Sequence, residues 1–275
     1  MSTAQYVDFG NAEVSAGYSS VDDLFDPLEN FEEEPEPEFI GHPLHMAIAN
    51  KDINAVKNMC RAGMHLNERA NDQFGTTPIF VALDAIRDGC GTEFLSALLV
   101  AGADPNMSMN LVLLPINYAI CNELVDAIHL LYQYGVEKNA LAVVEASRTL
   151  NADVIDAVCR FVPVSQFGYY AEESFWNTVG YSAATFKGGL HSNPSDLSLW
   201  NWDSVDDRER VLNVLNCLKT LFSNGVRPKP RSFYAFSRPP HPFVSHFVEQ
   251  CCAGVPDTSL SSYRELWGVE KEEDY

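Results

Sequence analysis

Between Gly41 and Asn139 the apolar residues fall into short runs of helical spacing, and the runs come in pairs. Three segments line up: "GHPLHMAIANKDINAVKNMCRAGMHLN" from Gly41 to Asn67, "GTTPIFVALDAIRDGCGTEFLSALLVAGADPN" from Gly75 to Asn106, and "LLPINYAICNELVDAIHLLYQYGVEKN" from Leu113 to Asn139. Each has Pro followed by an apolar residue, Ala four positions after the Pro, a second apolar helix, then Gly, and Asn four residues after the Gly. Pro43 to Gly63 and Pro115 to Gly135 span twenty residues each, while Pro78 to Gly102 spans four more, one extra helical turn near Asp84–Thr92. The pattern predicts helix pairs. Pro fits the first helical turn, where its missing N–H costs nothing. Ala lets paired helices approach closely, and Gly ends the second helix in a left-handed residue. A single pair of this size cannot bury its apolar face, so neighbours must stack.

A fourth copy without the Pro and Gly marks is expected in "ALAVVEASRTLNADVIDAVCRFV", Ala140 to Val162, with Ala146 in the Ala slot. A fifth second helix is expected in "VLNVLNCLKTLFSNGVRP", Val211 to Pro228, ended by Gly225. Its first helix is expected within Glu173–Phe186, with a loop near 187–204 between them, and Arg231–Val255 is expected to form a capping helix pair.

These repeats resemble ankyrin repeats. The residues that carry the likeness are Pro43-Leu44-His45 with Ala47, Thr77-Pro78 with Ala82, Leu98-Leu99, Gly102-Ala103-Asp104-Pro105-Asn106, and Pro115, Ala119, Leu130-Leu131, Gly135 and Asn139. Three copies in near-register make a far more specific signal than one. The resemblance implies an all-α solenoid of stacked helix pairs with short hairpin fingers and a C-terminal helical cap. It also implies protein partners held on a concave face by finger tips and exposed first-helix positions. Carried onto this chain, the finger positions are Asn71, Asp72, Gln73 and Phe74, then Met107, Ser108, Met109 and Asn110. The first-helix positions are Asn50, Asp84, Arg87, Asp88, Asn117 and Asn122. His45 fills the motif His, for which the resemblance implies a structural hydrogen bond. Each of these is also the kind of polar residue that any surface exposes.

The expected organisation is an acidic, disordered leader at 1–39, ankyrin repeats at 40–165, degenerate repeat and capping helices at 166–265, and an acidic tail at 266–275. No Lys or Arg precedes Lys51, and the leader packs acids around Val21, Leu24, Phe25, Leu28 and Phe31, which share one helical face. Pro27 rules out one unbroken helix but fits a helix start behind Asp26, with Glu29 completing a capping box. Two readings stay open: a solvated leader, or a linear motif that folds into a partner's groove, as acidic-hydrophobic activation segments do.

Charge narrows the partners. Net charge is −20 and the pI about 4.6, so the chain repels nucleic acid and anionic membranes, and direct binding to either is not expected. No apolar stretch approaches the roughly 20 residues of a membrane helix, and "MSTAQYVDFG" has no signal-peptide pattern, so a cytoplasmic or nuclear location is expected. The seven cysteines are odd in number and scattered, which predicts reduced, buried thiols. Adjacent Cys251-Cys252 and the five-residue spacing of His241 and His246 are not metal signatures. Gly89-Cys90-Gly91 lacks a dinucleotide-loop context, and Gly180–Ala184 lacks the final Gly of a nucleophile elbow. The locally basic, aromatic run Val226–Pro240 is either a partner or phosphate site or a surface loop that packs Phe233, Tyr234 and Phe236. The reading is therefore a non-catalytic protein–protein scaffold without cofactor, metal or small-molecule substrate. It is either a regulatory adaptor, such as a transcription co-regulator working through a DNA-bound protein, or an inhibitor that masks a basic surface on its partner; a third reading, an enzyme with an unfamiliar site, would show a concave pocket of converging perturbed groups.

Overall fold

The structure, a computed structural model, describes residues 42–164, 168–182, 205–231 and 241–257, with Ser259. The expectations placed on residues 1–39, on the loop near 187–204, on Phe233, Tyr234 and Phe236, and on the 266–275 tail lie outside the described residues.

Among the described residues there are eleven helices and no strand beyond an isolated bridge between Met109 and Leu113. The helices are α1 (Pro43–Ala49), α2 (Ile53–Arg61), α3 (Pro78–Arg87), α4 (Glu93–Val100), α5 (Pro115–Cys121), α6 (Val125–Gln133), α7 (Leu141–Arg148), α8 (Ala152–Cys159), α9 (Gly168–Ser182), α10 (Val205–Ser223) and α11 (Pro242–Ala253). They pair as α1–α2, α3–α4, α5–α6, α7–α8 and α9–α10. The first helices α1, α3, α5, α7 and α9 pack successively in one row, the second helices α2, α4, α6, α8 and α10 in another, and α11 packs on α10. This is the all-α solenoid of stacked helix pairs that the repeat pattern predicted.

The sequence marks act locally. Pro43, Pro78 and Pro115 open α1, α3 and α5, each behind an extended residue, as the residue before proline must be. The second helices end alike: at α4 the Gly102 amide donates to Leu99 O and the Ala103 amide to Leu98 O, and at α6 Gly135 and Val136 repeat the arrangement on Tyr132 and Leu131. These are Schellman closures, and the glycines hold φ of +96° and +94°. Gly225 and Gly254 end α10 and α11 in the same way.

The turns after α1, α5 and α7 are less relaxed, since Lys51, Glu123 and Leu150 adopt φ of +59°, +57° and +55° without being glycine. The extra length of the second repeat enters α3, three residues longer than α1 or α5, and the connector to α4. Arg87, Asp88, Gly89 and Gly91 are exposed there, while Cys90 and Thr92 are half-buried.

A continuous core runs between the two rows. Ala47, Ala82, Ala119 and Ala146 are all buried in the first-helix row, where a larger side chain would hold neighbouring helices apart. The fifth pair is longer than the others: α10 begins at Val205, six residues before the predicted start, and α9 opens at Gly168. Of the expected final pair, the described part is the single helix α11.

Burial fits most of the cysteine expectation. Cys159, Cys217 and Cys251 are buried and their thiols are pushed up to about 12 by desolvation. Cys90 and Cys252 are half-buried, and Cys121 is exposed at the end of α5.

His241 caps α11. It is buried, and its Nδ1 accepts from the Phe243 amide at 3.2 Å, which requires that nitrogen to be unprotonated. Desolvation holds its pKa down to about 3. A histidine kept neutral in the fold stabilises fully above its unfolded pKa of about 6.5, and that stability is lost as pH falls towards 3.

Gly102→Ala and Gly135→Ala should each cost about 1 kcal/mol, since nothing lies within 4 Å of an added Cβ and only the backbone conformation opposes it. Lys51→Gly should do the reverse by about 1 kcal/mol, both read as shifts in urea midpoint at constant slope. His241→Asn keeps a capping oxygen and should flatten the fall of melting temperature between pH 6.5 and pH 4; an unchanged acid limb contradicts the assignment.

Fingers and first-helix row as the candidate functional site

Among the connectors between the first four helix pairs, two are long enough to project, residues 62–77 between α2 and α3 and residues 101–114 between α4 and α5. Those after α6 and α8 are half as long, so the described stack has two fingers rather than one per repeat.

The fingers are tied to the stack by the motif residues. The His45 ring lies wholly buried, with Nε2 3.0 Å from the Thr76 carbonyl at the end of the first finger. Burial lowers its pKa, and the Thr76 bond only partly offsets this. It is thus the structural tie that the resemblance implied. The asparagine four residues after Gly63 and Gly102 is the second tie, whereas Asn139 accepts from the Leu141 amide at 2.9 Å and caps its own connector. The Asn67 side chain accepts from the Asp104 amide at 2.7 Å. Asn106 accepts from the Glu137 amide at 3.0 Å and donates to the Gly135 carbonyl at 3.2 Å. The first repeat thereby fixes the end of α4, and the second the end of α6.

Within the first finger, the Asp72 carboxylate accepts the Phe74 and Thr76 amides. Partial desolvation would raise its pKa, but hydrogen bonds from Thr76, Phe74 and Gly75 outweigh it and hold the carboxyl below its ordinary value. Asp72 therefore shapes the loop, leaving Asn71, Gln73 and Phe74 exposed. The two fingers touch, because the Asn110 amide donates to the Phe74 carbonyl at 3.1 Å.

The second finger closes between Met109 and Leu113, whose backbones exchange bonds of 2.8 and 2.9 Å. Met109 faces inward, its sulfur 3.6 Å from the Thr76 hydroxyl, and Met107 and Ser108 are half-buried. The tip is carried by residues that sequence reasoning missed. Leu111 and Val112 are 85% and 81% exposed, and Asn110 and Leu111 hold φ of +54° and +62°. Two successive left-handed positions ordinarily favour Asn-Gly, and a leucine in the second costs about 1–2 kcal/mol. Their only sequence signal was two apolar residues in a turn, which merged with the apolar start of the third repeat.

Beside the fingers, the elongated α3 meets α5 through a polar cluster. Arg87 pairs with Asp84 at 2.9 Å and reaches Asp88 at 3.4 Å. The Tyr118 hydroxyl donates to Asp84 and accepts from Arg87 at 2.5 Å. Tyr118 lies edge-on to Phe80, 5.7 Å between centroids, and burial together with the bond to Asp84 pushes its pKa up to about 12. The cluster joins predicted residues Asp84, Arg87 and Asp88, and Tyr118 was missed because its partners lie a repeat away. Asn122 closes α5 on the Tyr118 carbonyl at 2.9 Å, Asn117 is half-buried on the same helix, and Asn50 is exposed at the end of α1. The leader residues Val21, Leu24, Phe25, Leu28 and Phe31 lie outside the described residues.

Residues weighed for chemistry fall elsewhere. Gly180 and Ser182 belong to helix α9 rather than to a strand-to-helix turn, and His241 caps α11. In the basic run, Arg227 lies over the Phe222 ring at 4.1 Å, and Arg231 pairs with Glu173 at 3.4 Å and Glu172 at 3.7 Å. No described helix is long and apolar enough to cross a membrane.

No protein-family model matches the chain, and no curated protein matches it significantly in sequence. Among solved structures, the ankyrin repeat protein EF0377 is 16% identical with a TM-score of 0.45, covering 66% of this chain and 81% of its own. The Legionella pneumophila effector AnkC is 15% identical with a TM-score of 0.47, covering 86% and 74%. The ankyrin repeat domain of Bcl-3 is 15% identical with a TM-score of 0.41, covering 74% and 93%. The assignment of the fold rests on the chain's own marks, which recur in register and seat each helix pair on the next. By those marks the chain is a solenoid of stacked helix pairs that resembles ankyrin-repeat proteins.

Proposed function

We propose that the protein is a regulatory adaptor whose fingers and first-helix row bind another protein. The observation that supports this reading best is the second finger tip, which holds Leu111 and Val112 out in solvent at the expense of a left-handed leucine. Backbone strain of this kind persists where the surroundings enforce it, and it clusters at binding sites. Burying one such side chain in a partner is worth about 1.5–3 kcal/mol, enough for a hot spot. The polar cluster of Asp84, Arg87, Asp88 and Tyr118 would supply a charged rim that sets orientation more than affinity.

The acidic leader offers a second contact through Val21, Leu24, Phe25, Leu28 and Phe31. An adaptor that joins two proteins in this way suits a transcription co-regulator acting through a DNA-bound partner, since a net charge of −20 opposes direct contact with DNA. A second reading is favoured by the absence of any basic residue before Lys51: a leader of one sign would mask a basic surface on its partner. Masking by exposed charge weakens steeply with salt, whereas groove binding by Leu24, Phe25 and Leu28 does not.

The test uses Leu111→Gly, which removes the apolar tip and relaxes its backbone. The variant should be as stable as the wild type or more so, yet lose about tenfold or more in affinity for partners recovered from cell extract. A chain lacking residues 1–39 should lose a different subset of partners. Undiminished binding by Leu111→Gly would sink the finger-tip assignment.

A further inference from the structure

Away from the finger tips, three metal-ligating side chains converge at the start of the first repeat. His42 stands at the N-cap of α1, where its carbonyl accepts the Met46 amide at 3.1 Å and its own side chain makes no cap hydrogen bond. His65 and Glu68 lie in the turn after α2, closed by the Glu68 amide on the His65 carbonyl at 3.3 Å. His65 holds φ of +58°, an uncommon conformation in which histidine is among the few enriched residues. Nδ1 of His42 and Nδ1 of His65 lie 3.0 and 2.6 Å from the same Glu68 oxygen. The two rings are stacked 5.4 Å apart and 10° from parallel. One donor atom from each of the three residues lies within 4.8 Å of the other two.

We propose that His42, His65 and Glu68 bind one zinc-class divalent ion. Two imidazoles and a carboxylate suit zinc and its first-row neighbours, whereas calcium and magnesium take oxygen ligands. Bond lengths of ~2.0–2.1 Å around a tetrahedral ion place donors ~3.3 Å apart, so the two Nδ1–carboxylate distances need to open by less than about an ångström. All three side chains are part-exposed, between 29% and 46%, and can rotate that far without disturbing the core. The ion would replace the ring protons now directed at Glu68 and would leave a fourth position for water. His45 is not among the converging side chains: its ring lies wholly buried, with Nε2 on the Thr76 carbonyl.

The consequence is mechanical. Among the described residues, α1 and α2 have a stacked neighbour pair on one side only. An ion at this site would pin the entry of α1 to the base of the first finger, bracing the first described repeat of an array whose stability passes from neighbour to neighbour. The ligands escaped the sequence reading because they lie twenty-three and three residues apart, a spacing that matches no compact metal motif.

The experiment is a titration of the tag-free full chain, with its cysteines kept reduced, by zinc in a calorimeter and by cobalt in visible spectroscopy. We expect one equivalent of tight binding, a four-coordinate cobalt spectrum without a thiolate charge-transfer band, and a melting temperature that rises with zinc. His65→Asn, which still tolerates the left-handed backbone, and Glu68→Gln should each weaken binding by at least about tenfold, the loss caused even by outer-shell changes. Their metal-free melting temperatures should match the wild type. Absence of binding, a thiolate-dominated cobalt spectrum, or unchanged affinity in both variants would each overturn the site.

Discussion

A pair of helices seven to ten residues long buries too little apolar surface to stand alone, so every repeat depends on being held at a fixed offset from the next. The row of buried alanines, Ala47, Ala82, Ala119 and Ala146, sets how close that offset can be. The asparagine ties set its register. Asn67 holds the end of α4 through Asp104, and Asn106 holds the end of α6 through Gly135 and Glu137. Glycine reverses the chain after each of these helices, so that the amide of the following repeat meets the tie. The rest of the architecture, including the placement of the fingers, follows from that offset.

Once the stack is rigid it can impose a cost on its loops. The tip of the first finger is relaxed, because Asp72 accepts the Phe74 and Thr76 amides. The second is not: the bridge of Met109 to Leu113 and the bond from Asn110 to Phe74 force Leu111 into a left-handed turn. The strain stays in the tip because the base is anchored by inward-facing Met109. The elongated α3 contributes in another way. Its extra turn carries Arg87 and Asp88 past the length of the neighbouring first helices, where Tyr118 of the next repeat links Arg87 to Asp84.

What could be read from sequence was what acts within a single turn. Pro43, Pro78 and Pro115 each bias their own helix start, and Gly102 and Gly135 their own helix end, so these marks placed three pairs correctly and led to a fourth and fifth. The lost marks are why the start of α10 was set at Val211 rather than Val205. Contacts between repeats were not legible, since nothing in local spacing joins Asp84 to Tyr118 or His42 to His65. Which finger residues reach solvent was not legible for a related reason. Exposure of Met109 or Leu111 depends on which way a strained turn points, and a leucine in a left-handed position contradicts the propensity that sequence reasoning uses.

The central claim is that partners meet the finger and first-helix side of this stack rather than the second-helix side. The most direct measurement places a photoreactive amino acid at Leu111 in one variant and at Val100 in another. Both sites are exposed, at 85% and 68%, but Val100 belongs to α4 in the second-helix row. Irradiated in cell extract, the Leu111 variant should form discrete protein adducts and the Val100 variant should not. Adducts from Val100 alone, or the same adducts from both, would contradict the account.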